Sequence, residues 1–501
     1  MSDPTEIIVE GREELLEPHV PMRRIITEYI VLAIAFFVIV YFSPADTAEF
    51  GAISAIPSIF LLAFIFYTKR ILEGLTLASL LGFLMAFKLE FFGELNSSLV
   101  SVLTNEDTQW LFIVCGLMGS IIALIERGGG AAAFGTWVSK RAKTRKSTLL
   151  WTWFLGMAIF IDDYLNSLTV GSCMAPITDK HKVSREKLAY IVDSTAAPVC
   201  VLIPISTWAV YIATLLEQSG AAADGQGLQY FIQTIPYNLY GWIAVAIVPL
   251  VILGVIPVFG PMKKAEQRAR EQGILAPPGS DKIDIHSGEH FKLPAKPKIL
   301  NFFLPIMVLI ASTIYFDIDM QMGVLTTVAF MFLLYIPQGI IGPEAFFDAV
   351  VTGVKNMLFP LMMVVLAFTF ADINEKLGFL NYVIDSAKVF MTPEMLPFVV
   401  FIVLGITEFI MGLSWGMYAI AIPIVIPLAL AVGANPVVAV GAVCSAGVWG
   451  SHICFYSDAT ILSSAASGCD NYRHAVTQMP YGFLGAALTA LGFLAIGFLG
   501  I

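Results

Sequence analysis

Charged side chains are scarce in this sequence: only 13% of its 501 residues are Asp, Glu, Lys or Arg. In an average soluble domain such residues make up about a quarter of the chain. Hydrophobic residues account for 57%, and the mean hydropathy is +0.81. This balance excludes an ordinary soluble domain and indicates a protein embedded in a lipid bilayer. We expect no nucleic-acid partner.

Several motifs of enzymes and ATP-driven pumps are absent. The chain contains no HExxH or P-loop motif, so we expect neither an enzyme of those types nor a bound cofactor. The six cysteines show no metal-ligand spacing, and their apolar surroundings predict small buried residues. No cleavable signal pattern is present, because an acidic tail at residues 1–24 precedes the first apolar segment.

Apolar windows of about 18 to 20 residues, long enough to cross the hydrocarbon core of a bilayer, recur along the chain. We predict about 11 transmembrane helices, at 25–44, 52–68, 71–89, 109–126, 188–214, 238–259, 299–316, 323–341, 357–374, 436–462 and 480–500. Clusters of basic residues mark cytoplasmic loops. They place the N-terminus and the polar segment 261–298 on the cytoplasmic side of the inner (plasma) membrane.

Basic residues flank segment 148–178 at both ends. If both ends are cytoplasmic, the segment enters and leaves the membrane on one side and forms a re-entrant hairpin. The second half of the chain echoes the first: residues 153–168 align with 402–417, and residues 194–210 align with 446–462. This recurrence predicts two structural repeats.

The predicted architecture is an all-α polytopic membrane protein with two inverted-topology repeats. Repeat 1, with one leading helix, covers 25–260, repeat 2 covers 299–501, and 261–298 is a polar linker. Each repeat holds a re-entrant hairpin (148–178 or 396–430) and a helix broken near the midplane (188–214 or 436–462). An odd number of spans per repeat inverts the second copy, a plan that recurs in secondary transporters.

The richest polar motif is FIDDYLNSLTVGSCMAPITDK, from Phe160 to Lys180. A charge at the bilayer centre costs roughly 3 to more than 10 kcal/mol, so intramembrane carboxylates usually mark an ion or substrate path. Oxygen ligands in the hairpins and broken helices suit a small cation, and we place Na⁺ at Asp163 and Asp458. The candidate cation- and proton-binding residues are Asp162, Asp163, Asn166, Thr169, Ser206, Thr207, Ser457, Asp458 and Thr460. Weaker candidates for a substrate cavity are Ser194, Thr195, Trp208, Ser414, Trp415, Ser451 and His452.

Exchange of Na⁺ for H⁺ follows from general electrostatics. Burial raises the pKa of a carboxylic acid and a bound cation lowers it, so binding of Na⁺ releases a proton. The alternative is an aspartate that only caps a broken helix or pairs with a basic residue, and this alternative applies most to Asp162 and Asp193. Adjacent residues on a helix point in different directions, so we expect different roles for Asp162 and Asp163. Packing roles remain open for His452, Trp208 and Trp415.

At these motifs the chain resembles the NhaC family of Na⁺/H⁺ antiporters, within the larger ion-transporter superfamily. The similarity spans most of the membrane region and is most specific in the sequences FIDDYLNSLTVGS, VSREKLAYIVDSTAAP, ISTW, SWG, SDATILSSAASGCD and TQMPY. The resemblance implies inverted repeats with re-entrant hairpins, Na⁺-linked secondary transport and a homodimer. Some members exchange H⁺ for Na⁺, while others move malate and lactate.

Two departures from the family pattern bear on the substrate. Relatives carry GDHCSPISD where this chain has GSHICFYSD (450–458), and GTSWGT where it has GLSWGM (412–417). These changes remove possible cation ligands, favour a larger or drier site and raise the chance of an organic substrate. From the motifs and the resemblance we predict a secondary active transporter, first a Na⁺/H⁺ antiporter. The alternative is a Na⁺- or H⁺-coupled transporter of a small organic carboxylate or an amino acid.

Overall fold

The structure, a computed structural model, describes residues 22–500 except 45, 47, 48, 69, 142, 224, 281–297, 317, 318, 388 and 389. The described chain is helical throughout and contains no strand. Six described helices are long and apolar enough to cross a membrane, and a bent pair, Gly227–Tyr237 and Leu239–Leu253, would make seven. The predicted all-α polytopic architecture is confirmed. The acidic tail up to residue 21 and linker residues 281–297 lie outside the described residues.

The first half of the chain and the start of the linker form helices α1 to α14. They are α1 (Met22–Phe42), α2 (Ile56–Thr68), α3 (Ile71–Phe87), α4 (Phe91–Thr104), α5 (Glu106–Arg127), α6 (Gly130–Arg141), α7 (Arg145–Ala158), α8 (Asp163–Lys180), α9 (Arg185–Asp193), α10 (Ala197–Cys200), α11 (Thr207–Gln218), α12 (Gly227–Thr234), α13 (Leu239–Leu253) and α14 (Gly260–Glu271). Short 3₁₀ turns occupy Gly51–Ala55, Lys88–Glu90 and Ile235–Tyr237.

The second half of the described chain contains fewer helices. Its helices are α15 (Leu300–Tyr315), α16 (Met320–Tyr335), α17 (Pro343–Lys376), α18 (Phe379–Ala387), α19 (Leu396–Met411), α20 (Ser414–Val432), α21 (Pro436–Ile453), α22 (Asp458–Ser467) and α23 (Asn471–Leu499). Helix α17 is 34 residues long and runs without a break from Pro343 to Lys376.

The difference between about 11 predicted spans and six long apolar helices has two causes. The predicted span 188–214 is divided among α9, α10 and α11, because Pro198 and Pro204 lack the backbone N–H that a continuous helix needs. Five further apolar stretches of helix span 10–17 described residues each, among them Leu300–Tyr315 and Met320–Tyr335. The predicted apolar segments are thus helical, and several of them form broken or shorter helices.

Polar side chains fix the start of three helices that follow an interruption. Asp162 accepts a hydrogen bond from the backbone N–H of Leu165, Ser206 from that of Ala209, and Ser457 from that of Thr460. Such N-caps satisfy N–H groups that have no partner inside the helix. At the second hairpin, α19 ends instead at Gly412, whose φ of 71° lies in the left-handed region that favours glycine.

The two halves exchange contacts reciprocally. Helix α8 of the first hairpin packs against α22 of the second half, and α20 of the second hairpin packs against α11 of the first half. The hairpin helices of each half thus pack against the broken helix of the other half. This arrangement places the polar helix ends of both halves near one another.

Helices α5 and α17 cross with their backbones in close approach at Gly119 and Gly353. A Cβ atom on Gly119 would lie 2.4 Å from the carbonyl oxygen of Gly353. We expect Gly119→Ala to lower the melting temperature of the detergent-purified protein, since overpacking of this kind costs roughly 1–3 kcal/mol. Gly93→Ala on α4, where a Cβ would meet no atom within 4 Å, is the control and should not destabilise the protein. Equal melting temperatures for the two variants would contradict this account of the crossing.

The start of the predicted polar linker is folded. Helix α14 packs against α9 and α23, and its Glu266 is buried. The Glu266 carboxylate accepts hydrogen bonds from the Arg145 guanidinium at 2.6 Å and the Ser184 hydroxyl at 3.0 Å. A buried carboxylate with two such partners therefore ties Gly260–Glu271 to the helices beside it.

Candidate functional site

Asp162 lies in the interruption of the first hairpin and is fully buried. One carboxylate oxygen accepts the backbone N–H of Leu165 at 2.9 Å, and the other accepts the hydroxyl of Thr207 at 2.9 Å. The backbone N–H of Thr207 also donates to the carbonyl of Ile161 at 2.9 Å. Asp162 therefore caps α8 and joins it to the start of α11, so its hydrogen-bonding capacity is used structurally.

Asp163 has different surroundings. Its Oδ1 accepts a hydrogen bond from the Trp208 indole N–H at 2.9 Å, and only 1% of its surface is exposed. Its Oδ2 is buried and has no hydrogen-bond donor among the described residues. An unpaired buried carboxylate oxygen is costly unless a proton or cation occupies it. Of the two adjacent aspartates, Asp163 is thus the one with a free binding position.

Asp458 joins this cluster from the second half of the chain. Its Oδ2 accepts the hydroxyl of Tyr164, the residue after Asp163, at 2.5 Å. Its Oδ1 accepts the backbone N–H of Ala459 at 2.8 Å. Tyr164 in turn accepts the indole N–H of Trp415 at 3.2 Å. Two consecutive residues of α8, Asp163 and Tyr164, therefore contact side chains from both halves of the chain.

The cluster brings three carboxyl groups together without a basic counterpart. Asp162 and Asp163 are adjacent in the chain, and Asp458 is hydrogen-bonded to the residue that follows them. In the described part of the chain, none of them forms an ion pair with Lys, Arg or His. The described residues also contain no group of three or more His, Cys, Asp or Glu side chains suited to a metal ion. A cation here would need amide, hydroxyl or carbonyl oxygens as additional ligands.

Asn166 provides such an oxygen. Its Nδ2 lies 2.7 Å from each of three carbonyl oxygens, those of Gly156, Ile159 and Thr195. Its Oδ1 is buried and has no donor among the described residues. Because Asn166 follows Asp163 by three residues on α8, the two side chains share one helix face. One side chain thus fixes two helix interruptions with its nitrogen and leaves its oxygen free.

The predicted hydroxyl ligands mostly satisfy backbone groups. Ser206 Oγ donates to the carbonyl of Cys200 at 2.7 Å. Ser457 Oγ and Thr460 Oγ1 lie 2.9 and 3.1 Å from the carbonyl oxygen of Ser451. Thr169 is separate: it lies two helical turns beyond Asp163 and faces a cavity of about 20 Å³ beside α5. The structure brings all the predicted cation-site residues except Thr169 to the hairpin and broken-helix ends.

Ser194 and His452 belong to a second buried polar cluster. Ser194 Oγ and the Tyr240 hydroxyl lie 3.0 and 2.8 Å from the two ring nitrogens of His452. Nearby, the Gln478 amide donates to Asp193 at 2.5 Å and its oxygen lies 2.9 Å from the His474 ring. Each of these groups has a protein partner, so the cluster has the character of a packed polar network.

A cavity of about 840 Å³ lies beside the carboxylate cluster. Tyr164 and Thr207 line it, so their hydrogen bonds connect its wall to Asp458 and Asp162. Of the seven residues predicted to line a substrate cavity, Trp415 does so. The other six, which do not line it, are Ser194, Thr195, Trp208, Ser414, Ser451 and His452. The prediction placed them there because it could not tell which way each side chain faces within a broken helix.

Two of these six lie next to Trp415, which lines the cavity. Trp208 packs on Trp415 with ring centroids 5.2 Å apart. Ser414 precedes Trp415 and donates to the buried carboxylate of Glu408 at 2.9 Å. Thr195 instead donates its hydroxyl to the carbonyl of Ile191 at 2.8 Å.

The cavity is also lined by three residues that were not predicted from the sequence, namely Tyr164, Tyr211 and Trp110. Tyr164 stands directly after Asp163, so the DDY sequence was an available signal. Tyr211 follows Thr207 by four residues and thus lies on the same face of α11. Trp110 comes from α5, for which the sequence held no local indication.

Three comparisons with known proteins complete the description. The model of a family described as the Na⁺/H⁺ antiporter family matches residues 222–498. An uncharacterized protein of Haemophilus influenzae is 28% identical over 489 residues, covering 89% of this chain and 91% of that protein. The solved structure of Neisseria gonorrhoeae MtrF, reported as illuminating a class of antimetabolite efflux pumps, is 11% identical with a TM-score of 0.35. It covers 82% of this chain and 85% of that chain.

Proposed function

The chain belongs to the Na⁺/H⁺ antiporter family, and on that premise we propose that it exchanges Na⁺ for H⁺ by alternating access at its buried carboxylates. Within this family we place it with the NhaC-type antiporters that its motifs resemble. The matched residues include Asp458, while Asp162 and Asp163 precede the matched range. We expect transport rather than enzymatic activity.

One observation carries the proposal: Asp163 Oδ2 and Asn166 Oδ1 are buried on one face of α8 and have no donor among the described residues. Two oxygens of this kind are suitable ligands for a hard cation such as Na⁺. Asp458, held through Tyr164, contributes the charge of the second repeat. In this arrangement Asp163 is the principal site of Na⁺ or H⁺ binding, and Asp162 positions the helix ends.

The exchange follows from the electrostatics of the cluster. Three buried carboxylates without a basic partner cannot all remain charged and unoccupied, because desolvation and mutual repulsion both oppose it. Either protons or Na⁺ can neutralise them, so the two cations compete for one site. A protein that changes access only when the site is neutralised would couple inward movement of one ion to outward movement of the other.

The cellular setting remains a proposal that rests on other features. The basic clusters near residues 140–146 and 261–298 support a cytoplasmic linker in an inner-membrane protein. The homodimer is expected from the NhaC resemblance. The organic-carboxylate or amino-acid alternative would need a cavity larger than an ion site, and the 840 Å³ cavity supplies that space.

Purified protein in liposomes with a trapped pH dye tests the exchange. With the membrane potential clamped, an imposed Na⁺ gradient should change the internal pH, and Asp458→Asn should abolish the change while the protein stays monodisperse. Asp348→Asn, at an exposed position on α17, is the matched control and should exchange normally. Exchange by Asp458→Asn at the wild-type rate would refute the proposed site.

A further inference from the structure

The cavity beside the carboxylate cluster is far larger than Na⁺ requires. Its volume of about 840 Å³ falls in the range of roughly 300–1,000 Å³ typical of sites for small organic ligands. It is formed where α4, α5, α11, α16, α17 and α20 meet. Its size indicates an organic solute, and the chemistry of its walls indicates which class.

Aromatic rings form one continuous wall of this cavity. Tyr211 packs edge-on against Trp415 with ring centroids 4.5 Å apart, and its hydroxyl donates to the Trp415 carbonyl at 2.8 Å. Trp415 donates its indole N–H to Tyr164, whose ring lies 5.9 Å from that of Trp110. All four residues line the cavity. The hydrogen bonds hold the rings in fixed positions, as a preformed binding site requires.

The charges around the cavity are of one sign. Glu106, Asp319, Asp372 and Glu375 line it, and its described lining contains no Lys, Arg or His. Lys376 pairs with Asp372 at 2.9 Å, which offsets one of the four carboxylates. Behind the aromatic wall, the Tyr164 hydroxyl bonds to Asp458, so a further negative charge lies next to the ring faces.

We propose that this cavity binds a small organic ammonium ion, held against the rings of Trp110, Tyr164, Tyr211 and Trp415. Aromatic faces attract ammonium groups, and the nearby carboxylates add to that attraction. The inference deepens the proposed function, on which it rests for the transport step, by naming an organic cation that shares the pathway with Na⁺ or H⁺.

Other solutes fit this cavity less well. A malate- or lactate-type anion would approach four carboxylates and find no basic side chain in the described lining. A desolvated Na⁺ would be in contact with oxygens on every side, whereas the aromatic wall supplies mainly carbon atoms. An ammonium ion with alkyl groups satisfies both features, since its charge suits the carboxylates and its carbon atoms suit the rings.

Binding to the full-length protein in detergent tests the inference. The probes are choline, ethylammonium, butyrate and the uncharged alcohol in which carbon replaces the nitrogen of choline. We expect one or both ammonium ions to quench tryptophan emission saturably and to raise the melting temperature. The alcohol and butyrate should do neither. Tighter binding of butyrate than of either ammonium ion would overturn the proposal.

Two variants at Tyr211 separate the ring from its hydroxyl. Tyr211→Leu should weaken ammonium binding by about fivefold, since one cation–π contact is lost. Tyr211→Phe keeps the ring and loses only the hydrogen bond to the Trp415 carbonyl, so it should bind more tightly than Tyr211→Leu. Equal affinities for Tyr211→Leu and wild type would contradict the role of the aromatic wall.

The two proposals fail in distinguishable ways. If neither ammonium ion binds to protein that exchanges Na⁺ for H⁺ in liposomes, the organic-cation inference is wrong and the proposed exchange stands. If the ammonium ions bind saturably and no Na⁺-driven pH change occurs, the binding inference stands and the proposed exchange is wrong.

Discussion

Replacement of Asp163 by asparagine is expected to abolish Na⁺-coupled exchange and leave the protein folded. The amide oxygen of Asn can still accept the Trp208 indole N–H that Asp163 Oδ1 accepts at 2.9 Å. The amide nitrogen would replace Oδ2, the buried oxygen that has no donor among the described residues. The variant therefore keeps the shape and loses the charge that would bind the cation.

The expected loss is large because the site is buried. Removal of one partner from a buried charge pair costs roughly 3–5 kcal/mol, which corresponds to at least a hundredfold, by about 1.4 kcal/mol per factor of ten. Titration calorimetry of Na⁺ binding and the liposome assay measure this directly. We expect Na⁺ binding to fall below detection in Asp163→Asn at concentrations that saturate the wild type.

Asp162→Asn is the matched comparison one residue earlier. Both oxygens of Asp162 already accept hydrogen bonds, from Leu165 and Thr207. Asparagine is also a good N-cap, so the main change is the lost hydrogen bond from Thr207, worth about 1 kcal/mol. We expect a lower melting temperature with Na⁺ binding retained in part. If Asp162→Asn lost Na⁺ binding and Asp163→Asn kept it, the roles assigned to the two aspartates would be reversed.

Asp162 and Asp163 show which features of the site can be predicted from the sequence and which cannot. Intramembrane carboxylates identify the region, and helix geometry predicts that Asp162 and Asp163 face different ways. Which of them retains a free oxygen depends on Thr207 and Trp208, more than 40 residues later in the chain. Contacts of that range follow from the packing of α11 on the hairpin, which no local pattern encodes.

The fold, like the site, was predicted only in part from the sequence. Apolar windows and polar interruptions predicted the helical architecture, because backbone groups in a bilayer must be satisfied within helices. The docking of α14 was missed, because its sequence is strongly polar and its burial depends on Arg145 and Ser184 as partners for Glu266. The cavity residues from α5 and α17 were missed for a related reason: side-chain direction toward a shared space emerges only in three dimensions.

Asn166→Asp is expected to prevent the protein from folding stably. The Asn166 amide nitrogen shares two hydrogens among the carbonyl oxygens of Gly156, Ile159 and Thr195, each 2.7 Å away. A carboxylate at this position would place an oxygen against three oxygens and provide no donor. Each buried carbonyl left without a donor costs roughly 1–3 kcal/mol, and the added repulsion of a buried charge increases the loss.

The consequence extends beyond one side chain, because these carbonyls belong to two different interruptions. Gly156 and Ile159 lie at the end of α7, and Thr195 lies between α9 and α10. Without the amide, the first hairpin and the first broken helix lose the group that holds them together, and the carboxylate cluster loses its frame. We expect loss of the monodisperse peak in size-exclusion chromatography, or a strongly lowered melting temperature. Asn96→Asp, the same change at an exposed position of α4, is the control and should behave as wild type. A wild-type melting temperature for Asn166→Asp would show that these carbonyl oxygens accept hydrogen bonds from other donors.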